Sequence, residues 1–302
     1  MYNPFHKLHD TVSRAYERHD LTPWMHTPAQ HPPIYGFFHI YCDKDWERMV
    51  TSQVERLTHS GLINETARLF VSCILLHDED EALLHRIFHG MPVEFVSVSR
   101  DASKFEYPAL EALREQCMKE DCLVYYFHTK GITYQSLETA DRRFNAFKAN
   151  IEAWRNLMEY FLMDRWVIAV NTLMDGYDTY GCYRLPPPPR AYYLYAGNFW
   201  WSKSDYVKQL PAFDPSLYRD NRYYAEEWLY KAKPKDFSAF DTMADLYYVY
   251  MSPSLYHDTK PPLWDAVKFV WLYNVRKFRK QILGYDYKSH YQKKYQKLRQ
   301  QP

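Results

Sequence analysis

The chain has 302 residues, of which 47% are hydrophobic and 25% charged, so it is long and apolar enough to bury a large core, and disordered and fibrous proteins are excluded. The formal net charge of +1 hides an asymmetry, because residues 260–302 hold eleven Lys and Arg against two Asp, which leaves a net charge of −8 on residues 1–259. We therefore expect an acidic body and a basic C-terminal segment.

Glycine-rich phosphate loops are absent from the sequence. Only eight glycines occur, and none forms a G-x-x-x-x-G-K-[ST] or a G-x-G-x-x-G pattern, which excludes P-loop and dinucleotide-binding proteins. The five cysteines are scattered without a C-x-x-C pair, so we expect a reduced, cytosolic protein. The pattern predicts neither a secretory signal nor a membrane span.

Residues 1–31 are predicted to be an irregular lead-in, and residues 32–258 an α/β domain. His6 and His9 are spaced like metal ligands, but no third ligand is near them in sequence, so we interpret them as surface residues. The expected strands are 34–41, 68–76, 93–99 and 122–128, with helices at 46–57 and 107–117. Because apolar strands alternate with helices, we expect a mainly parallel central sheet flanked by helices.

The second half of this domain begins with an amphipathic helical pattern over residues 144–161, which continues over 166–174 and is expected to be core. The four prolines at 186–189 predict an exposed connection, which leads into a single aromatic strand at 192–201. Neighbouring side chains of a strand point to opposite faces, so at most one of Trp200 and Trp201 is expected in the core.

Residues 259–302 are predicted to be a basic amphipathic helical tail. Pro261 and Pro262 suit the start of a helix and Gly284 its end. Its apolar stripe is Trp264, Val267, Trp271, Val275, Phe278 and Ile282, widened by Phe269, Leu272 and Tyr273. Two interpretations remain open: residues 263–299 lie on an anionic membrane surface, or the helix packs on the rest of the protein with a solvated basic face.

The segment His128-Thr129-Lys130-Gly131 follows the fourth predicted strand. Open α/β sheets bind ligands beyond the carboxyl ends of their strands, a glycine there permits a sharp turn, and a lysine can offset phosphate charge without a metal. The alternative is a capped strand end with a surface lysine.

Two later segments also hold candidate binding residues. Asn198 offers a donor and an acceptor for hydroxyl groups, and the tryptophan next to it that is not core can offer a ring face to a sugar or base; the alternative is hydrophobic packing. Glu226 can act as a general base whose environment is shaped by Arg222 and Trp228. The alternative is an ordinary helical pair between Arg222 and Glu226.

Taken in order, Phe38-His39, residues 126–131, residues 197–201 and Arg222 to Glu226-x-Trp228 resemble the HTKG-type glycosyltransferases of bacterial and viral polysaccharide clusters, over roughly residues 34–230. The resemblance implies a GT-A-like fold, a nucleotide-sugar donor and transfer onto a growing surface glycan, for which a lipid-linked acceptor is expected. The roles assigned with it are catalysis for Glu226 and Lys130, donor binding for His39, His128, Thr129, Gly131 and Asn198, and sugar or acceptor binding for Trp200, Trp201, Arg222, Glu227 and Trp228.

By the same resemblance, residues 128–131 stand where GT-A enzymes usually place an Asp-x-Asp metal motif, and this sequence has no acidic pair there. No metal ligand is therefore assigned, and Mn²⁺ or Mg²⁺ is not favoured. Asp43-Lys-Asp45 and Asp78-Glu-Asp80 are the remaining acidic pairs, with a solvated turn and a helix N-terminus as their ordinary interpretation. Lys130, with Arg222 or Arg142, then has to neutralise the leaving diphosphate.

The predicted mechanism is inverting: Glu226 deprotonates an acceptor hydroxyl, which attacks the anomeric carbon as the nucleotide leaves. Such an enzyme is expected in the cytoplasm, peripherally bound to the inner face of the membrane. Two other classes remain as alternatives. One is a catalytically inactive glycan-binding or scaffold module, and the other is a nucleic-acid-binding protein that uses the basic tail. The acidic body argues against the latter, so no nucleic acid partner is expected.

Overall fold

The computed structural model describes residues 15–135, 137–185, 194–214, 223–257 and 260–299. His6, His9, the four prolines at 186–189 and Arg222 lie outside the described residues. The strands are β1 (Glu17–Arg18), β2 (Ile34–Tyr41), β3 (Thr66–Ile74), β4 (Val93–Ser99), β5 (Leu123–His128), β6 (Thr179–Gly181), β7 (Arg184–Leu185), β8 (Leu194–Tyr195), β9 (Trp200–Lys203), β10 (Asp236–Ser238) and β11 (Phe240–Asp241).

Helices connect and follow these strands. They are α1 (Trp46–His59), α2 (Leu62–Glu65), α3 (Asp80–Ile87), α4 (Tyr107–Lys119), α5 (Ile132–Gln135), α6 (Arg142–Glu159), α7 (Trp166–Met174), α8 (Ser204–Val207), α9 (Tyr224–Trp228), α10 (Ser254–His257), α11 (Leu263–Gln281) and α12 (Tyr287–Arg299). A π-helical turn at Tyr160–Asp164 joins α6 to α7. The helices predicted at 46–57, 107–117, 144–161 and 166–174 are confirmed.

Seven strands form one sheet in the order β10-β6-β9-β5-β2-β3-β4. Strand β2 pairs in parallel with β3 and β5, and β3 pairs in parallel with β4. Strand β9 is antiparallel to both β5 and β6. The prediction of an α/β fold with a mainly parallel sheet flanked by helices is therefore confirmed. One antiparallel strand interrupts the parallel order, and that strand positions part of the site described below.

Aromatic side chains fill the space beside the central strands. Phe38 of β2 stacks on Phe127 of β5 with ring centroids 4.1 Å apart, and Phe37 stacks on Phe70 at 4.9 Å. Each such side chain, fully buried, stabilises the fold by about 1.5–3 kcal/mol. Gly36, which precedes these residues on β2, leaves no room for a side chain, because a Cβ atom there would collide with the Tyr125 ring and the Leu69 side chain.

The predicted single strand at residues 192–201 is wrong. Residues 194–195 form β8 and residues 200–203 form β9, with a turn between them, while residues 192 and 193 lie outside the described part. The backbone reverses where Gly197 has φ +94° and Asn198 has φ +61°. Positive φ is incompatible with an extended strand, so the aromatic run is divided at this point.

The described chain forms two compact units. One comprises residues 20–132 and 158–239 and contains the seven-stranded sheet. The other comprises residues up to 19, 133–157 and from 240 onward, and its buried cluster of Phe144, Phe147 and Ile151 is covered in part by Tyr247 and Tyr291. The domain boundaries predicted after residues 31 and 258 stay predictions.

The basic tail contains two helices, α11 and α12. The predicted start after Pro262 is confirmed, and Gly284 with φ +61° follows the end of α11. Phe269 and Tyr273 do not widen the predicted stripe: they are 2% and 8% exposed, whereas Trp264 of the stripe is 80% exposed. Helix α11 therefore has two separate apolar faces. Among the described residues, no helix is long and apolar enough to cross a bilayer.

Candidate active site at the carboxyl edge of the sheet

Two segments that are far apart in sequence meet at the end of β5. His128 is the last residue of this strand, and Trp200 at the start of β9 pairs with Tyr126 in antiparallel register. Gly197 and Asn198, which precede β9, consequently lie at the carboxyl edge of β5. The His128 Nε2–H donates a hydrogen bond to the Gly197 carbonyl at 2.8 Å. Because a carbonyl oxygen only accepts, this contact also fixes the imidazole tautomer.

The loop after β5 is held by Thr129 and turns at Gly131. The Thr129 hydroxyl accepts the Tyr41 N–H at 3.0 Å, and the Thr129 N–H donates to the His39 carbonyl at 3.2 Å. Gly131 has φ +80°, a conformation that costs a glycine little. The buried Thr129 side chain thus fixes the loop that presents Lys130.

The structure adds Glu106, which the sequence analysis missed. Glu106 is the N-cap residue of α4, and its side chain makes no capping bond to that helix. Instead its Oε2 accepts the Tyr126 hydroxyl at 2.6 Å and the Asn198 amide at 2.7 Å. The Oδ1 atom of Asn198 in turn accepts Trp200 Nε1–H at 2.8 Å. The one sequence signal that could have identified Glu106 is its position between the 93–99 strand and α4, because α4 starts at the carboxyl edge of the sheet.

Burial and mutual charge shift the titration of this cluster. Burial lowers the pKa of His39 to about 4, with Glu106 opposing the shift. Burial also lowers the pKa of His128, against the negative charge of Glu106. For Glu106 itself, burial raises the pKa, but the positive charge of His128 in its protonated form and the hydrogen bond from Tyr126 outweigh it, so the pKa is lowered overall. At neutral pH the cluster is a carboxylate beside two neutral imidazoles.

Lys130 and Glu226 lie within electrostatic range of the same cluster. After burial and Glu106, the positive charge of Lys130 is the next influence on the pKa of His128 and lowers it, and the charge of Glu226 raises it. Glu226 also contributes to the high pKa of Tyr126, behind burial and the effects of Glu106. Both Lys130 and Glu226 are half-buried. The edge therefore combines an ammonium group that can bind an anion with a carboxylate that can accept a proton.

A second layer of polar contacts supports the two histidines. The Nδ1 atom of His39 lies 2.8 Å from the hydroxyl oxygen of Ser72 on the neighbouring strand. The side-chain amide of Gln53 donates to the His128 carbonyl at 3.3 Å and to Glu159 at 2.8 Å. No local pattern in the sequence marks Ser72 or Gln53, since their partners are 33 to 106 residues away.

The prediction that one of two adjacent tryptophans presents an open ring face is wrong. Trp200 and Trp201 are 1% and 0% exposed, and Trp201 Nε1–H donates to the Leu162 carbonyl. Trp228 is likewise fully buried, with its Nε1–H on the Pro211 carbonyl. The sheet has helices on both faces, so opposite strand faces both lead into core. These three rings are scaffold in this structure.

Glu227, the neighbour of Glu226 in sequence, forms a salt bridge. It pairs with Lys231 at 3.3 Å, one helical turn onward. The proposed pairing of Arg222 with Glu226 falls outside the described residues, since α9 is described from Tyr224.

The residues at this edge do not fit a divalent metal ion. Within the described ranges, no group of three or more His, Cys, Asp or Glu side chains could hold one. Asp80 is buried and accepts Trp46 Nε1–H and two backbone N–H groups, which gives it a structural role at the start of α3. Asp43 accepts the Lys44 N–H, and Asp78 pairs with Arg100.

A cavity of about 720 Å³ opens beyond the ends of β2 and β3. Its lining includes the basic Lys44, Arg48 and His77 but also the acidic Asp45, Glu47, Glu55, Glu79 and Asp80. None of His128, Lys130, Asn198 and Glu226 lines this cavity.

Two glycosyltransferases are among the solved structures that are similar to this chain. The mannosyltransferase PcManGT from Pyrobaculum calidifontis, solved with GDP-Man and Mn²⁺, is 11% identical with a TM-score of 0.44, over 92% of this chain and 79% of that one. The galactosyltransferase LgtC, solved with donor and acceptor sugar analogues, is 8% identical with a TM-score of 0.30, over 81% of this chain and 99% of that one. These TM-scores do not by themselves establish a common fold. No curated protein matches the chain.

One family profile matches residues 37–242, which begins inside β2 and ends just after β11. The match therefore includes the whole seven-stranded sheet except the first residues of β2, together with both segments that meet at the site. It covers more than half of the chain, and the protein accordingly belongs to the family described as "Domain of unknown function (DUF8361)".

Proposed function

We propose that this protein is a glycosyltransferase that moves a sugar from a nucleotide-sugar donor to a hydroxyl group of a surface glycan. The observation that carries the proposal is the hydrogen bond between His128 and Gly197. It joins two segments of the HTKG-type resemblance, residues 126–131 and 197–201, at the sheet edge where α/β proteins bind ligands; the two bonded residues are 69 positions apart.

In this proposal the Lys130 ammonium neutralises the diphosphate that leaves. The neighbouring imidazoles are neutral at pH 7, because burial lowers the pKa of both His39 and His128. They therefore add no charge of their own, and the ammonium supplies the electrostatic stabilisation of the departing group. In this proposal the turns at Gly131 and Gly197, both with positive φ, let the backbone approach the donor.

Glu226 is proposed as the general base. It deprotonates the acceptor hydroxyl, whose oxygen then forms a bond to the anomeric carbon while the bond to the nucleotide breaks on the other face, so the configuration inverts. Glu227 is less suited to this role, since it already pairs with Lys231. Glu106 is bound by two neighbours and is proposed as a fixed charge that positions Asn198 and His128.

The acceptor in this proposal is carried on a lipid, and the protein works at the inner face of a membrane. The excess of nine positive charges on residues 260–302 supports this part of the proposal, because anionic lipid attracts such a segment.

The test measures turnover with a panel of nucleotide sugars and glycan acceptors, with and without Mn²⁺ or Mg²⁺. The readouts are the release of nucleoside diphosphate and the mass of the product. We expect one donor to be consumed with a product one sugar heavier, and the activity to be lost in Lys130→Ala. Glycan binding without consumption of any donor would instead identify a binding module and overturn the proposal.

A further inference from the structure

Helix α11 exposes an apolar surface that the described residues leave uncovered. We name this surface the outer face of α11; it consists of Leu263, Trp264, Val267, Trp271, Phe278 and Ile282. Trp264 is 80% exposed, Ile282 68% and Trp271 61%. These are large side chains at helical spacing along nearly six turns, so they form a continuous stripe. Contiguous exposed apolar surface of this kind marks an interaction site.

The other side of the helix explains why the outer face is available. Phe269 and Tyr273 are buried, and the Phe269 ring meets the Tyr16 ring edge to face at 6.0 Å. The following helix, α12, is anchored independently through Tyr291, whose ring stacks on Phe147 at 4.6 Å. Packing of α11 on its own unit thus uses only the inner side. The outer face makes no contribution to that core.

Basic residues border the outer face. At about 100° per residue, Lys268 and Arg279 project only about 40–60° from the direction of Trp264, and both are exposed. The single acid of the helix, Asp265, accepts a hydrogen bond from the Ser254 hydroxyl. The border of the stripe is therefore positive, whereas an ordinary solvated helix face would mix both signs.

This combination selects the occupant. Tryptophans beside lysine and arginine suit the boundary between lipid headgroups and acyl chains, where the rings are half immersed and the cations meet anionic lipid. A second copy docked through the same face would bring Lys268 and Arg279 against their own counterparts. Nucleic acid would pair with the basic border but would leave the aliphatic side chains in water.

We propose that the outer face of α11 docks on an anionic bilayer surface, with the helix axis parallel to the membrane. This proposal rests on the proposed function, in which the protein works at a membrane, and it assigns the membrane contact to α11 alone, because α12 uses its aromatic side for packing. Vesicle binding needs neither donor nor acceptor, so its outcome is separate from that of the turnover test.

The experiment is sedimentation of the full chain with vesicles of phosphatidylcholine, with or without phosphatidylglycerol. We expect the protein to bind the mixed vesicles. Its affinity should be at least about tenfold lower for vesicles of phosphatidylcholine alone, and at least about tenfold lower for the mixed vesicles in high salt. The double variant Trp264→Ser with Trp271→Ser should lose at least about tenfold in affinity for the mixed vesicles. Lys268→Glu with Arg279→Glu should weaken the preference for anionic lipid, because it lowers the excess of positive charge on residues 260–302 from nine to five. Matched controls are Met118→Ser and Lys119→Glu on α4, both exposed, which should bind like the wild type.

Because all four substituted residues of α11 are exposed, the variants should keep the wild-type thermal midpoint, which is measured in parallel. Absence of binding to mixed vesicles, or unchanged binding by the tryptophan variant, would overturn the proposal. Two other results would also overturn it. The tryptophan variant could abolish a concentration-dependent dimer, or abolish salt-sensitive retention on nucleic acid, while its binding to vesicles persists.

Discussion

Lowering the pH tests the buried, neutral state of His39. The imidazole has a pKa of about 4 in the folded protein and 6.5 without its surroundings, so the unfolded chain binds a proton at mildly acidic pH before the folded one does. The contribution of His39 to the free energy of unfolding is therefore complete above pH 6.5 and is lost as the pH falls toward 4. At 1.36 kcal/mol per pKa unit, His39 alone should cost about 1.3 kcal/mol between pH 7.5 and 5.5.

The assay is urea unfolding of the wild type and of His39→Gln at these two pH values, with tryptophan fluorescence as the signal for unfolding. Glutamine can keep a hydrogen bond to Ser72 but does not titrate, so groups common to both proteins, such as His128, largely cancel in the comparison. We expect the wild type to lose about 1.3 kcal/mol more than the variant. Equal losses in the two proteins would refute a buried, neutral His39.

Substitutions at Glu226, Glu106 and Gly36 further test the site and the core, with Glu227→Gln and Glu106→Gln for comparison. Glu226→Gln should lower turnover by about 10²–10⁴-fold in release of nucleoside diphosphate, whereas Glu227→Gln should keep most of it; equal effects would contradict the assignment of the base. Glu106→Ala should cost about 1–3 kcal/mol in urea unfolding, because two buried donors lose their acceptor, and Glu106→Gln should cost less; a neutral Glu106→Ala would show that these bonds contribute nothing. Gly36→Ala should cost about 1–3 kcal/mol through the clash with Tyr125, and an unchanged thermal midpoint would contradict it.

Much of the fold follows from patterns that are local in sequence. The run from Phe37 to Ile40 is apolar except for His39 because β2 lies between β3 and β5, and such a run indicates a buried strand. The same reasoning places His128 and Lys130 at the end of a strand. It fails at residues 192–201, because the aromatic residues on both sides of Ala196-Gly197-Asn198 suggested one strand, although glycine and asparagine together favour the turn that the chain makes there.

The partners of the site residues could not be predicted in this way. Glu106 contacts Tyr126 and Asn198, which are 20 and 92 residues away, and such pairings depend on which strands and loops meet in three dimensions. Helix α11 shows a related limit. Its periodicity predicts an apolar stripe, but Phe269 on one side and Trp264 on another are equally apolar, so only the folded structure decides which side is buried.

Calorimetric titration with nucleoside diphosphates most directly tests whether the edge around Lys130 binds the leaving group of a nucleotide sugar. UDP and GDP are each titrated into the wild type, Lys130→Ala and the control Lys119→Ala, whose lysine lies at the end of α4, before β5 begins. We predict that the wild type and the control bind one of them equally, and that Lys130→Ala binds it at least about tenfold more weakly, as expected for the loss of a charged hydrogen bond. Equal binding by all three proteins, or no binding by the wild type, would contradict it.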